Sequence, residues 1–442
     1  MTPSETTISA IRFGYGFHPD QHPPRGPDDL MRHLLRPDNT LPSGPTVQER
    51  HAALKQFIKE KKAKTGDNTA RRMIRGMVNR DLTSRVLAPI VSTTGFFERL
   101  ATFWSDHFTV AMRGQSTRVI VGRYEADAIR PHIAGNFRDM LRASATHQAM
   151  LMFLNQIQSI GPNSKAGKRN GRGLNENLAR EIIELHTLGV GAAYTQKDIQ
   201  QFALLLTGLW INPRTGETVF NQRRAEPGEK IILGQRFGRQ AHVLADISAA
   251  LDHLARHPAT AQHIARKLAI HFVSDSPPQS LIKAMANAFT ANDGALRPVY
   301  QAMLEHTESW RTFGNKVKQP FDFVVSSIRA AGGDRARIWR AQNGMQAVRA
   351  LRFMNQPVLA APGPDGWPEG ARDWINAQGL TVRLKWASDL AQAMGQRADP
   401  RAFLTTALSD TAREETVFAV TNAAEKWEGV ALALASPEFN RR

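Results

Sequence analysis

The chain of 442 residues has no cysteine, which excludes disulfides, thiol nucleophiles and thiolate metal sites. It also lacks a long apolar run. The longest central one, Phe202 to Trp210, is broken by Thr207 and Gly208 and falls far short of the roughly 20 residues a membrane-spanning helix needs. Familiar catalytic signatures are missing too: there is no H-E-x-x-H for zinc, no G-x-S-x-G nucleophile elbow and no G-K-[ST] closing a phosphate loop. Met1 to Ala10 has neither a basic start nor an apolar stretch, so this sequence on its own reads as cytoplasmic. Acidic residues are in deficit, 40 Asp+Glu against 57 Lys+Arg, giving a formal net charge of +17. That charge attracts anions of many kinds, but no helix-turn-helix, zinc module or aromatic sheet points to nucleic acid in particular.

What is present is an ordinary globular balance, 42% hydrophobic and 22% charged, in a chain long enough to bury a substantial core. Residues 1–46 are rich in proline and glycine and read as an arm with one short helix, Asp28 to Leu35. Residues 47–442 read as one helical domain, with 47–215 and 235–442 as its candidate lobes. The basic stretches KQFIKEKKAKTG and TARRMIRGMVNR read as solvated helix faces. Thr195 and Asp198 have the spacing of a capping box opening a helix striped by Ile199, Ala203, Leu206 and Trp210. One β-hairpin is expected at residues 217–233, turning near Glu226-Pro227-Gly228, and the region Gln356 to Gly370 reads as a loop. The fold class is all-α with one small hairpin.

Two polar residues fall where apolar ones belong. On a helix at 100° per residue starting from Phe96, Leu100 lies at about 40°, Phe103 at about −20° and His107 at about 20°, with Asp106 turned away at about −80°. On a second helix, Leu174 to Leu188, Glu181 sits at about −20° within a stripe of Leu178, Leu185 and Leu188. Glu184 lies on its edge and His186 on the opposite flank. A buried carboxylate needs a base, a metal or several donors, and His107 is the leading partner. The pair reads as a structural tie between helices, as an acid–base site, or as a metal site with Glu184 or Asp106 adding ligands. His253 and His257 share a helix face but read as helix-end polarity.

Between these helices runs GPNSKAGKRNGRGLNEN, residues 161–177, with Lys165, Lys168, Arg169 and Arg172 among three glycines. Glycines let backbone N–H groups approach an anion, and a helix N-terminus adds partial positive charge. The loop therefore reads as a site for phosphate, sulfate or carboxylate that orders when one binds.

The stretches FWSDHF, SIGPNSKAGKRNGRGLNENLAREIIELHTLGVGAAYTQKDI, HPATAQHIARKLAIHFVSDSPP, GWPEG and LASPEFNRR resemble the bacterial domain-of-unknown-function family 1800. The resemblance implies a mostly helical domain without an assigned activity, frequently exported and encoded beside a second uncharacterised family, number 1501, of sulfatase- or phosphatase-like appearance. A protein of that family is thus an implied partner. The family's recurring positions fall here on Trp104, His107, Asn163, Asn175, Glu176, Asn177, Arg180, Glu181, Glu184, Gly189, Gly366, Trp367 and Pro368. His147 and Asn155 stand where the family has acids.

These observations together point to a polar site with His107, Glu181 and Glu184 as its chemical groups, the same three serving as ligands should a metal bind. Trp104, Asn163, Lys165, Lys168, Arg169, Arg172, Asn175, Arg180 and Trp367 are expected to hold an anionic ligand. The sequence does not identify a cofactor. The competing reading is a non-catalytic scaffold whose basic surface holds an acidic protein or envelope polymer. A cavity containing His107, Glu181 and Trp367 favours the site.

Overall fold

A computed structural model describes residues 3–38, 44–63, 68–170, 173–238, 244–333, 341–395 and 398–442. The chain is 64% helical, and its strands form two short antiparallel pairs, as expected of an all-α fold with a minor β element. No helix among the described residues is long and apolar enough to cross a membrane.

The first fifty residues hold more helix than their proline content suggests. Ser4 caps Glu5–Ile8, which continues as a π-helix through Phe13, and the Phe13 ring packs 6.0 Å from both Phe96 and Phe272 and 5.4 Å from Trp310. Pro27 then opens the helix Pro27–Leu35, where its fixed φ and missing N–H carry no penalty. Exposed Lys55, Lys59, Lys61, Lys62, Arg71, Arg72 and Arg75 line the next two helices, Val47–Ala63 and Thr69–Val91, as solvated faces do.

The capping box forms as read: Asp198 accepts from Thr195 N at 2.8 Å, and Thr195 Oγ1 accepts from Asp198 N at 3.2 Å. Ile199, Ala203 and Leu206 are buried, but the helix stops at Leu206, and Trp210 belongs to a strand instead. Gly208 makes that break possible at φ +101°, where a Cβ would stand 2.7 Å from the Phe220 ring. The single hairpin of the sequence reading is two. Leu209–Ile211 pairs with Thr218–Phe220, and Lys230–Ile232 pairs with Gln235–Phe237 across Leu233-Gly234. Both turn residues have positive φ, as a type I′ turn requires. Glu226-Pro227-Gly228 is the connection between the two pairs, and its three carbonyl oxygens accept from the buried Lys230 ammonium.

Apolar side chains form two clusters. One gathers residues from Ile8 to Leu304, and the other gathers Tyr15, Val86, Ile90 and residues from Phe321 to Phe439. Leu82 and Leu359 pack against both. The second cluster is centred on Pro320–Ala330, a helix buried along its whole length.

Candidate active site

The site is built on two helices whose apolar faces are interrupted by polar groups. Gly95–His107 buries Phe96, Leu100, Phe103 and Trp104 in the first cluster, while Thr102, Ser105 and Asp106 line a cleft of about 80 Å³. Pro258–Phe272 carries His263, Lys267 and His271 at successive four-residue steps, a polar line along one side of the helix. The loop Gln356 to Gly370 closes the cleft with Val358, Leu359, Trp367 and Glu369.

The turn Gly366 to Glu369 places the chemistry. The Trp367 N–H donates to both oxygens of Asp106, at 3.0 and 3.1 Å. Gly366 stands at φ +86°, where a Cβ would lie 2.6 Å from Asp106 Oδ2. Gly366→Ala is therefore expected to lower stability by roughly 1–3 kcal/mol, through strain and a displaced turn. A thermal melt checks this, and an unchanged melting temperature would contradict it.

Two residues after Trp367, Glu369 accepts from His271 Nδ1 at 2.6 Å. Its second oxygen lies 3.1 Å from Lys316 Nζ and accepts from Gln319 Nε2 at 3.3 Å. Burial pushes the Glu369 carboxyl up, but His271 and then Lys316 outweigh it and hold the group well below the usual carboxylate range. His271 shows the reverse balance: burial lowers its pKa despite Glu369 and so favours the neutral ring. With Nδ1–H committed to Glu369, Nε2 carries the lone pair, and that atom is buried without a partner. Asp106 lines the same cleft, and burial raises its carboxyl to about 7 against the opposing pull of Lys267. One cleft is thus lined by an imidazole whose neutral form burial favours and by a carboxyl raised to about 7.

His107 is buried, as expected, yet Glu181 is not its partner. His107 Nε2 donates to the carbonyl oxygen of His186 at 3.1 Å, and the charges it feels are Lys267, His186 and His263. His263 Nε2 likewise donates to Leu185 O at 3.0 Å. The reason lies in the partner helix, which runs as α-helix only over Asn177–Glu181 and then widens to a π-helix over Ile182–Thr187. Its last carbonyls lack helical partners, and imidazoles from two neighbouring helices supply the donors.

This change of helix type also rotates the faces. Leu178, Ile182, Ile183, His186 and Thr187 face the core, whereas Glu181, Glu184 and Leu185 are only partly buried. His186, expected outside, is 1% exposed with both ring nitrogens unpartnered, and burial lowers its pKa to about 3. Burial and the neighbouring Glu184 and Asp365 raise the Glu181 carboxyl. Among the described residues no group of three His, Asp or Glu is arranged to hold a metal ion, so His107, Glu181 and Glu184 form no such set.

The expected ligand contacts disperse. Trp104 is fully buried and donates to Tyr300 Oη at 2.7 Å, out of reach of any ligand. Asn163 donates from N and Nδ2 to Glu226 at 2.9 and 2.7 Å, so an internal carboxylate occupies the loop where an external anion was expected. Lys165, Lys168 and Arg169 are exposed, and Arg172 lies outside the described residues. The helix after the loop starts at Asn177 rather than Leu174, with Glu176 at its N-cap. Asn175 caps locally by accepting from Asn177 N, and Arg180 bridges Glu176 and Glu184. Of that group only Trp367 lines the cleft.

Asp106, Lys267, His271, Gln319 and Glu369 are the residues that sequence reasoning missed or undervalued. The signal available was the His263, Lys267, His271 spacing in an otherwise apolar helix. His257 and His147 act as helix N-caps, each accepting through Nδ1 from a backbone N–H. At position 147 the imidazole fills a role for which a short acid is well suited.

A family model described as "Protein of unknown function (DUF1800)" matches residues 9–441. Comparison with curated proteins and with solved structures gives no match.

Proposed function

We propose that this chain, which belongs to the DUF1800 family of proteins of unknown function, uses the Asp106/His271 cleft as an acid–base site that acts on or binds an anionic ligand. In this reading His271 Nε2 takes a proton from the ligand, and Glu369 fixes the tautomer and stabilises the resulting imidazolium. Asp106, half protonated near pH 7, returns a proton. Trp367 and Gln319 stand at the wall to orient the bound molecule. The +17 net charge raises the local concentration of anions around the protein. The observation that carries the reading is the 2.6 Å contact between His271 Nδ1 and Glu369, which leaves Nε2 without a partner on a residue lining the same cleft as Asp106, whose carboxyl is raised to about 7.

Long-range proton–nitrogen NMR of the side-chain imidazoles tests it. At pH 7 His271 is expected to be neutral with the proton on Nδ1, and Glu369→Gln is expected to change that tautomer balance. A His271 that is charged at pH 7, or protonated on Nε2 in the parent protein, contradicts the assignment.

A further inference from the structure

Behind the cleft lies a second cavity of about 90 Å³, where roughly 10–15 Å³ suffices for one water molecule. The two share Arg85, Ser105, Val110 and Leu359 as a common wall. The polar groups of this second chamber divide into those already satisfied and those left open. Asp81 is bound in both oxygens by Arg50, at 2.7 Å each. Glu125 accepts from Ser105 Oγ at 3.1 Å and pairs with Arg85 Nε at 2.7 Å and Arg130 Nη1 at 3.0 Å. Arg123 is paired with Asp127. Both lining carboxylates are therefore neutralised by arginines, and neither is free to repel an anion.

The open groups are donors. Arg85 spends Nε on Glu125 and lays its guanidinium over the Phe321 ring at 5.3 Å, yet its Nη1 is buried with no partner. Arg80 and Ser84, one turn of the Thr69–Val91 helix apart, also line the chamber, and their side chains make no hydrogen bond among the described residues. A buried guanidinium nitrogen, a free guanidinium and a hydroxyl around one small cavity match the acceptors of a phosphate or sulfate group, and arginine's planar fork suits such oxyanions.

We propose that this chamber is an oxyanion pocket that holds the phosphate- or sulfate-type end of a two-ended small molecule, whose other end reaches past Arg85 to Asp106 and His271. The second half of that statement rests on the acid–base reading of the cleft; the pocket itself does not. Arg85 sits on the shared wall and thereby couples the two.

Calorimetric titration with inorganic phosphate and, separately, with sulfate tests the proposal on the full-length protein. Arg80→Gln is the main variant because Arg80 is exposed and its loss leaves the packing intact. Arg85→Gln is the second, its fold checked by melting temperature because it also loosens Glu125. Binding by the parent protein and a loss of about tenfold or more in Arg80→Gln is the expected result. Failure of the parent to bind either anion, or equal binding by Arg80→Gln, overturns the pocket. His271→Gln separates the two readings, since it is expected to bind phosphate as the parent does. Should the imidazole tautomer test fail while Arg80→Gln still loses phosphate, the pocket stands and the acid–base role of the cleft falls.

Discussion

Asp322→Ala is expected to destabilise the protein by roughly 3–5 kcal/mol, because it strands several buried cations around one lost carboxylate. Asp322 is 4% exposed and lies 3.1 Å from both Arg99 Nη1 and Arg442 Nε. Burial pushes its carboxyl up, but Arg99 and Arg442 outweigh that and hold it below the usual range. The same charge supports Lys318 and Arg383, both nearly fully buried. Among the described residues the Lys318 ammonium contacts Ser326 Oγ at 3.2 Å and the Phe439 ring at 3.9 Å, and burial, opposed by the Asp322 charge, lowers its pKa to about 7. Lys318 thus releases its proton more readily in the folded chain, about 7 against 10.5, so its contribution to stability grows as pH rises between those values. The Asp322→Ala deficit should accordingly shrink toward pH 9, where Lys318 no longer needs a counter-charge. Urea denaturation at pH 7 and pH 9 measures both effects. A variant within about 0.5 kcal/mol of the parent at pH 7 would show that the cluster does not depend on this carboxylate.

Asp106→Asn is expected to act in the opposite direction and only above mildly acidic pH. The folded protein holds the Asp106 proton up to about 7, while the unfolded chain releases it at 3.8. Between those values the native state binds more protons, so this group's contribution falls as pH rises and is fully unfavourable above 7. Asparagine keeps an acceptor for the Trp367 N–H and removes the charge. Relative to the parent, the variant should gain roughly 2–4 kcal/mol between pH 4 and pH 8, a figure reduced for partial solvent access. Equilibrium unfolding across that range reads the difference directly. Parallel stability curves for the two proteins would place the Asp106 titration at an ordinary carboxylate value and remove its capacity to return a proton near neutrality.

The two substitutions differ in sign because the two aspartates differ in company. Asp322 faces two guanidiniums at contact distance, so its charge is stabilised more than burial penalises it. Asp106 has one backbone N–H and the field of Lys267, which is not enough to offset burial. Nothing in the local sequence around either residue distinguishes them.

What the sequence determined by itself is whatever depends on neighbours along the chain. The mostly helical class, the short helix Asp28 to Leu35, the Thr195/Asp198 capping box, the solvated basic faces and the burial of His107 follow from spacing and from side chains that bond their own backbone. The Leu174 to Leu188 stripe held at Leu178 and Leu188 but not at Glu181 and Leu185, because it assumed one helical period throughout. At Ile182 the helix widens, and the alternative apolar pair Ile182/Ile183 takes the core-facing side, carrying His186 inward and Glu181 outward. Only the tertiary structure decided which polar groups meet. Asp106 and Trp367 are 261 residues apart, and His271 and Glu369 are 98 apart. Their encounter depends on a glycine that admits the Gly366 to Glu369 turn against one helix end and on the docking of Pro258–Phe272 beside it. Those contacts arise from packing between elements distant in sequence, and no periodicity within either segment encodes its partner.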